Sequence, residues 1–217
     1  MRLRKVKNAK ERLEQDNNSF YISNPEEYKG KWNELFNNNN PIHIEIGCGK
    51  GQFISTLAAL NPDINYIAIE KFDSVLLRCL EKVLDSNLSN LKLCVLDAQM
   101  ISNYFSQEEV KRIYLNFSDP WPKKHHAKRR LTSPLFLDEY KKILPKKDGE
   151  IFFKTDNRGL FEYSLESISN NGYSISNISL DLHKDIEKYP DNITTEFEDK
   201  WSKLGPIYRL EARIKGE

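Results

Sequence analysis

The sequence predicts an α/β fold, with one mostly parallel sheet of seven strands, helices on both faces and an antiparallel last strand. Short apolar runs alternate with segments of helical period from about residue 41 onward. The segments between successive runs are a dozen residues or longer, which is the length that parallel pairing requires. The final run, residues 207–214, instead alternates polar and apolar residues, which is typical of an edge strand or an antiparallel pair.

The composition indicates a single globular domain. The chain has 217 residues, of which 39% are hydrophobic and 30% are charged. No run approaches the ~18 apolar residues that a membrane helix needs, and the basic N-terminus lacks the apolar segment of a signal peptide. The three cysteines form no C-x-x-C pair, which argues against a disulfide framework or a zinc site. We therefore expect a cytoplasmic protein without a metal or a membrane partner, either a monomer or a homodimer.

Residues 1–40 are predicted to form a basic N-terminal arm and a capping helix, ahead of a single domain at residues 41–217. The first 12 residues carry six basic side chains, among them Arg2 and Arg4, and one acidic side chain. A helix is predicted over residues 25–36, with Pro25 at its first position and Asn24 as its cap. A second basic segment follows at residues 123–130. Two such segments indicate a polyanionic partner, although ordinary solvated surface explains the arm equally well.

Seven strands and five further helices are expected in the main domain. The predicted strands are residues 42–46, 65–70, 90–97, 110–117, 150–154, 173–180 and 207–214. The predicted helices are residues 51–60, 73–84, 134–143, 158–169 and 194–204. The residues expected to cap these helices are Asp73, Thr132 or Ser133, Asn157 and Thr194.

A glycine-rich turn follows the first strand. A dinucleotide-binding turn would need glycine where the chain has Gln52, and a phosphate-binding P-loop would need serine or threonine directly after Lys50. What remains is the pattern E-x-G-x-G-x-G at residues 45–51, which resembles the first motif of the class I S-adenosylmethionine (SAM) methyltransferases. A glycine-rich turn of some other α/β domain is the alternative.

An acidic residue closes each of the first four predicted strands. They are Glu45, Glu70, Asp97 and Asp119. Because the carboxyl ends of parallel strands meet at one edge of the sheet, these side chains should form a row there. Carboxylates can accept the two hydroxyls of a ribose, an ammonium group or an adenine amino group. Glu70, about 20 residues beyond the turn, is the expected ribose ligand. A single such acid would more often be a cap or a surface residue, but four in a row indicate a ligand.

Residues 116–130 combine an acid, an aromatic residue and a basic cluster. Asp119 precedes Pro120, Trp121 and Pro122, and five lysines and arginines follow by residue 130. Base stacking beside phosphate-binding cations is typical of a nucleic-acid enzyme. Trp121 is equally well explained as a packing anchor or as a platform for a base.

These motifs together resemble the bacterial tRNA (guanine-N7-)-methyltransferase family. The resemblance is carried by residues 45–51, 117–124, 128–130, 153–157 and 195–198 and extends through nearly the whole chain from about residue 40. It implies a Rossmann-like class I methyltransferase fold, SAM as cofactor and tRNA as partner. It also implies methylation of N7 of the guanosine at position 46 in the tRNA variable loop.

The resemblance also implies roles for individual residues. Asp119 would be catalytic, and the cofactor would contact Glu45, Gly47, Gly49, Gly51, Glu70, Asp97 and Asp119. The substrate guanosine would contact Lys123, Asp156, Thr195, Glu196, Phe197 and Glu198. The RNA would contact His125, His126, Lys128, Arg129 and Arg130. Relatives often have arginine where this chain has His125, and residues 195–198 also resemble a helix capping box.

The expected chemistry needs no general base. Guanine N7 carries a lone pair and no proton, so positioning and electrostatics should dominate. Asp119, with Asp156, is hypothesised to accept hydrogen bonds from the guanine N1–H and amino group and to offset the charge that the ring gains. Three alternatives remain open: a methyltransferase acting on another RNA, one acting on a small molecule or protein, and a non-catalytic RNA-binding protein.

Overall fold

One seven-stranded sheet organises the chain. The computed structural model describes residues 5–16 and 20–215, so Arg2 and Arg4 of the predicted arm lie outside the described residues. The strands are β1 (Ile42–Ile46), β2 (Asn65–Glu70), β3 (Leu91–Val95), β4 (Arg112–Asn116), β5 (Glu150–Thr155), β6 (Tyr173–Ser179) and β7 (Tyr208–Ile214). Their order is β3-β2-β1-β4-β5-β7-β6, and β7 pairs antiparallel with both β5 and β6. The predicted sheet with one antiparallel last strand is confirmed.

Helices cover both faces of the sheet. They are α1 (Ala9–Glu14), α2 (Trp32–Phe36), α3 (Gln52–Leu60), α4 (Asp73–Val83), α5 (Pro134–Ile143), α6 (Arg158–Asn170) and α7 (Glu196–Trp201). Alternate residues of β2 enter two different cores, because side chains along a strand point to opposite faces. Tyr66 and Ala68 pack with α1, α3 and α4, whereas Ile67 and Ile69 pack with α2, α5 and α6.

The helix predicted over residues 25–36 is wrong as a single element. The chain forms a short 3-10 helix at Pro25–Tyr28 and then α2, and Asn24 provides no side-chain cap. Gly30 separates the two pieces with φ of 76°, and its N–H donates to the Glu109 carboxylate at 2.9 Å. A residue in this left-handed conformation cannot continue a helix.

The N-terminal segment packs on the main domain. Arg12 of α1, a helix not predicted from the sequence, pairs with Glu81 of α4 at 2.7 Å, and Leu13 is fully buried. Farther on, Tyr21 bridges to Leu93 beside the edge strand β3. The division of the chain at residue 40 stays a prediction.

Several predicted helix caps are not formed, although α5 begins at Pro134 as predicted. Asp73 is the first residue of α4 rather than its cap, and the Ser133 hydroxyl donates to the Lys128 carbonyl instead of capping α5. Thr195, not Thr194, caps α7. The Asn157 cap on α6 is confirmed, with its side chain accepting from the Leu160 N–H at 2.8 Å.

An unpredicted 3-10 helix, Ala98–Asn103, follows β3. Across the described ranges, every helix falls short of the length and apolar character needed to cross a bilayer.

Candidate active site

The glycine turn after β1 leaves its backbone open on one side. The Gly47 N–H donates to the Ile69 carbonyl at 2.8 Å, which ties the turn to the end of β2. Gly47, Gly49 and Gly51 all have positive φ, between 59° and 82°. A Cβ on Gly51 would lie 2.2 Å from the Cys79 sulfur, whereas one on Gly47 or Gly49 would meet nothing within 4 Å. Gly51 is therefore required for packing, and the other two leave room for a ligand to approach the backbone.

Glu45 presents an unsatisfied carboxylate oxygen beside this turn. The side chain is buried, and its Oε1 accepts from the Asn116 amide at 2.9 Å, while Oε2 has no hydrogen-bond partner. Burial raises the pKa of Glu45 from its ordinary value of 4.5 to about 8, offset in part by Asn116 and by the nearby Lys154 ammonium. A buried polar atom of this kind needs an explanation, and a cationic group on a ligand would satisfy it.

Glu70 and Asp97 are held firmly at the ends of the neighbouring strands. One Glu70 oxygen accepts from the Gly49 N–H at 3.3 Å, and the other accepts from the backbone N–H groups of the two residues that follow it. Burial raises the pKa of the Glu70 carboxyl despite these bonds. Asp97 pairs with Lys71 at 2.8 Å. The row of acids predicted from the sequence therefore lies along the side of the sheet where the neighbouring strands β3, β2, β1 and β4 have their carboxyl ends.

Asp119 completes the row in a more open position. Its side chain is exposed, and it has no hydrogen bond or ion pair within the described part of the chain. Its negative charge contributes to the raised pKa of Glu70, which places the two carboxylates near each other. The Ser118 hydroxyl next to it is buried without a partner. Residues 118–119 thus offer polar groups that a ligand could bind.

Arg130 fastens the loop that carries Asp119. Its Nε donates to the Pro120 carbonyl and its Nη2 to the Trp121 carbonyl, both at 3.0 Å, and its guanidinium lies 4.3 Å from the centre of the Tyr163 ring. In the structure, this predicted RNA contact is therefore occupied in holding its own loop together. This role could not be predicted from the sequence, because a basic residue in a basic loop has the same pattern whichever way it points.

Trp121 also packs within the loop. The Arg129 guanidinium lies 4.9 Å from the Trp121 ring centre, and the His126 ring meets it edge-on at 5.6 Å. His125 in turn packs against His126 with ring centres 4.1 Å apart. These contacts favour the packing role for Trp121. The loop's basic and histidine side chains that remain exposed are Lys123, Lys124, His125, Lys128 and Arg129.

A buried ion pair fixes α7 beside the site. The Lys154 Nζ lies 2.6 Å from Glu198 Oε2, and both side chains are buried, Glu198 completely. Lys154 also donates to the Ile193 carbonyl at 2.9 Å and to the Asn192 side chain at 3.3 Å. Burial lowers the pKa of Lys154, and Glu198 counteracts this. The pair joins β5 to the segment that the sequence linked to substrate binding.

The capping box predicted at residues 195–198 is half correct. The Thr195 hydroxyl accepts from the Glu198 N–H at 3.0 Å. The Glu198 carboxylate does not return to the Thr195 backbone, because Lys154, His183 and Asn192 bind it instead. Glu198 is thus a buried structural residue in this conformation, whereas Phe197 remains exposed.

We call the row formed by Glu45, Glu70, Asp97 and Asp119 the rim. A cavity of about 710 Å³ lies on the sheet face next to it. Its lining includes Asn116 and Lys154 as well as Tyr114, Phe152 and Arg209. The glycine turn and the acids Glu70, Asp97 and Asp119 do not line it. The cavity therefore borders the candidate site without containing it.

Comparison with known proteins assigns the chain to a family. A family model described as "Putative methyltransferase" matches residues 39–210. A tRNA (guanine-N(7)-)-methyltransferase of Streptococcus agalactiae is 59% identical over 215 residues, covering 99% of this chain and 100% of the relative. The chain belongs to the tRNA (guanine-N(7)-)-methyltransferase family. A family member from Listeria welshimeri is 55% identical and covers 99% of both chains.

A solved structure supports the fold of this family member. The 16S rRNA methyltransferase KamB superposes with a TM-score of 0.65 at 12% identity, covering 86% of this chain and 93% of that one. At this low identity the likeness concerns the fold alone. It confirms the Rossmann-like class I methyltransferase fold expected for the tRNA (guanine-N(7)-)-methyltransferase family.

Proposed function

We propose that the chain transfers a methyl group from SAM to N7 of the guanosine at position 46 in the variable loop of tRNA. The observation that carries the proposal is the 59% identity, over the full length, to a protein named for guanine-N7 methylation of tRNA. Position 46 rests on the resemblance of the motifs. The individual site roles rest on that resemblance together with the geometry of the rim.

The rim residues fit the parts of SAM. Glu45, whose Oε2 is buried and unpartnered, would receive the ammonium of the methionine part. Glu70, held by three backbone N–H groups, would accept the ribose hydroxyls, and Asp97 the adenine amino group. The open backbone at Gly47 and Gly49 would let the cofactor lie against the turn. When bound, SAM supplies a methyl group on a sulfonium centre.

The chain's own residues would act by position and charge. In the overall reaction the N7 lone pair forms the new N–C bond, the electrons of the old C–S bond stay on sulfur, and no proton moves. The exposed Asp119 carboxylate would accept from the guanine N1–H and amino group and stabilise the positive charge that the ring gains. Asp156, exposed after β5, would be a second acceptor. His125 and His126 are not needed as bases.

The loop after Asp119 favours an RNA substrate over a small molecule. Lys123, Lys124, Lys128 and Arg129 are exposed within eleven residues of Asp119 and carry charges that can meet phosphates. A small-molecule methyltransferase would not need them. Binding of tRNA should therefore weaken steeply as salt increases.

Labelled methyl transfer tests the proposal. The chain is incubated with labelled SAM and an unmodified tRNA transcript, and the digested nucleosides are separated. We expect label in 7-methylguanosine and none when the transcript carries adenosine at position 46. Label in another nucleoside, or undiminished labelling of the adenosine-46 transcript, would overturn the assignment.

A further inference from the structure

Three aromatic rings pack in succession from the end of β4 to the protein surface, with the Phe117 ring tilted by 38° against that of Phe197. The ring centres of Phe117 and Phe197 are 4.9 Å apart, and those of Phe197 and Trp201 are 5.6 Å apart with planes inclined by 27°. Phe197 and Trp201 are each 38% exposed. They lie one turn apart on α7, so they present neighbouring faces to solvent. We call these three residues the aromatic ladder.

The ladder begins beside the proposed catalytic residue. Phe117 precedes Asp119 by two positions and has φ of 51°, a left-handed conformation that is unusual for a bulky side chain. Its N–H donates to the Lys154 carbonyl at 2.8 Å, which anchors this backbone to β5. Phe197, the middle ring, belongs to the segment 195–198 that the family resemblance links to the guanosine. The ladder therefore leads outward from the place where the target base is expected.

The rings are held in place by bonds inside the chain. Thr195 caps α7, Lys154 binds Glu198, and Lys82 of α4 pairs with Glu196. These contacts attach the helix to two different elements of the domain. A ligand that stacks on the ladder would thus meet a preformed surface and lose little binding energy to ordering it.

The charge around the ladder suits a polyanion. The three acidic side chains of α7 are engaged within the chain: Glu196 and Glu198 by lysines, and Asp199 by the Gln52 amide at 2.7 Å. Lys200 lies 5.2 Å from the Trp201 ring centre. Neither Lys200 nor Lys203 forms an ion pair among the described residues. Asp199 keeps its negative charge, because the Gln52 amide is neutral, so Lys200 and Lys203 together leave a small net positive charge next to the exposed rings.

We propose that Phe197 and Trp201 stack on the nucleobase that flanks the methylated guanine in the substrate RNA. The proposal rests on the proposed function. An enzyme that acts on a base takes it out of its stack, which leaves the neighbouring base without a stacking partner. Exposed aromatic rings beside cations are the usual platform for such a base, and they bind without reading its identity.

Trp201→Ala tests the platform. The substitution removes the indole ring and with it the stacking free energy of one base, so we expect KM for tRNA to rise roughly ten-fold or more. The salt dependence of binding should stay unchanged, because no phosphate contact is lost. Trp201→Phe should recover most of the affinity. Leu204→Ala, which removes a 71% exposed apolar side chain just beyond the same helix, is the matched control and should bind like the parent protein.

Tryptophan fluorescence gives a second measurement. Trp32 is fully buried, so quenching by tRNA should come from the two more accessible tryptophans, Trp121 and Trp201. The quenching should fall clearly in Trp201→Phe. Equal tRNA affinity of Trp201→Ala and Leu204→Ala would overturn the proposal, as would a loss of affinity that disappears at high salt.

The outcome for the parent protein separates the two proposals. If it forms 7-methylguanosine in tRNA and Trp201→Ala binds tRNA normally, only the stacking proposal fails. If the parent protein forms no 7-methylguanosine, the proposed function fails and the stacking proposal falls with it. SAM affinity of each variant, measured by calorimetry, should match that of the parent protein and shows that the fold is intact.

Discussion

Replacing Lys154 by methionine should destabilise the protein strongly. The substitution keeps the length of the side chain but leaves the Glu198 carboxylate, which is 0% exposed, without its partner at 2.6 Å. Removing one member of a buried ion pair typically costs about 3–5 kcal/mol, since the remaining charge stays desolvated. The hydrogen bonds to the Ile193 carbonyl and Asn192 are lost as well. We therefore expect a loss of about 3–5 kcal/mol in the free energy of unfolding.

Urea unfolding followed by circular dichroism measures this loss. Glu198→Gln in the Lys154→Met background removes the unpaired charge and should recover about 2 kcal/mol. The matched control is Lys142→Met, which breaks an exposed pair with Glu139 and should cost under about 1 kcal/mol. A free energy of unfolding of Lys154→Met within about 1 kcal/mol of the parent protein, or no recovery on the second substitution, would show that the ion pair does not stabilise the fold in this way.

Four further predictions concern the rim and the glycine turn. Burial raises the pKa of Glu45 to about 8. The protonated carboxyl group therefore stabilises the fold fully below pH 4.5, and this stabilisation is lost as pH rises toward 8. In Glu45→Gln the free energy of unfolding should not show this loss. SAM binding at pH 7 should release a proton from Glu45, seen by calorimetry in buffers of different ionisation enthalpy, and buffer-independent heats would contradict this. Gly51→Ala should cost about 2–4 kcal/mol in urea unfolding through its contact with Cys79, whereas Gly205→Ala, with open space around it, should be neutral. Asp119→Asn should lower kcat at saturating SAM roughly 10- to 100-fold, and near-full turnover would rule out the charge argument.

The sheet and the row of acids could be predicted because both depend on local sequence alone. A buried parallel strand such as Ile42–Ile46 is a continuous apolar run, and the residue that ends it must lie at the carboxyl edge. The glycine turn could also be predicted from local sequence, because the spacing of its glycines excluded the dinucleotide-binding and P-loop motifs. The positions of Glu45 and Glu70 followed from chain direction, without knowledge of any distant contact.

The N-terminal elements could not be predicted, because long-range contacts decide them. Gly30 breaks the predicted helix where its N–H meets Glu109, which is 79 positions away. The helix α1 lies in the basic arm. Ala9 and Leu13 are its two buried residues, and the charged residues between them obscure the apolar pattern. Its stability comes from packing on α4, so the propensity of the segment itself was uninformative.

The two least predictable residues of the site, Arg130 and Glu198, point inward. Sequence motifs placed both at the surface that meets the substrate, yet Arg130 binds two carbonyls of its own loop and Glu198 binds Lys154. A motif records which side chains are present but not which way they face. Their positions suggest how the site is organised: Arg130 holds the loop that carries Asp119, and Glu198 holds the helix that carries Phe197. Side chains bonded within the chain would then fix the two surfaces between which the guanine must lie, which is where preorganised electrostatic catalysis needs rigidity.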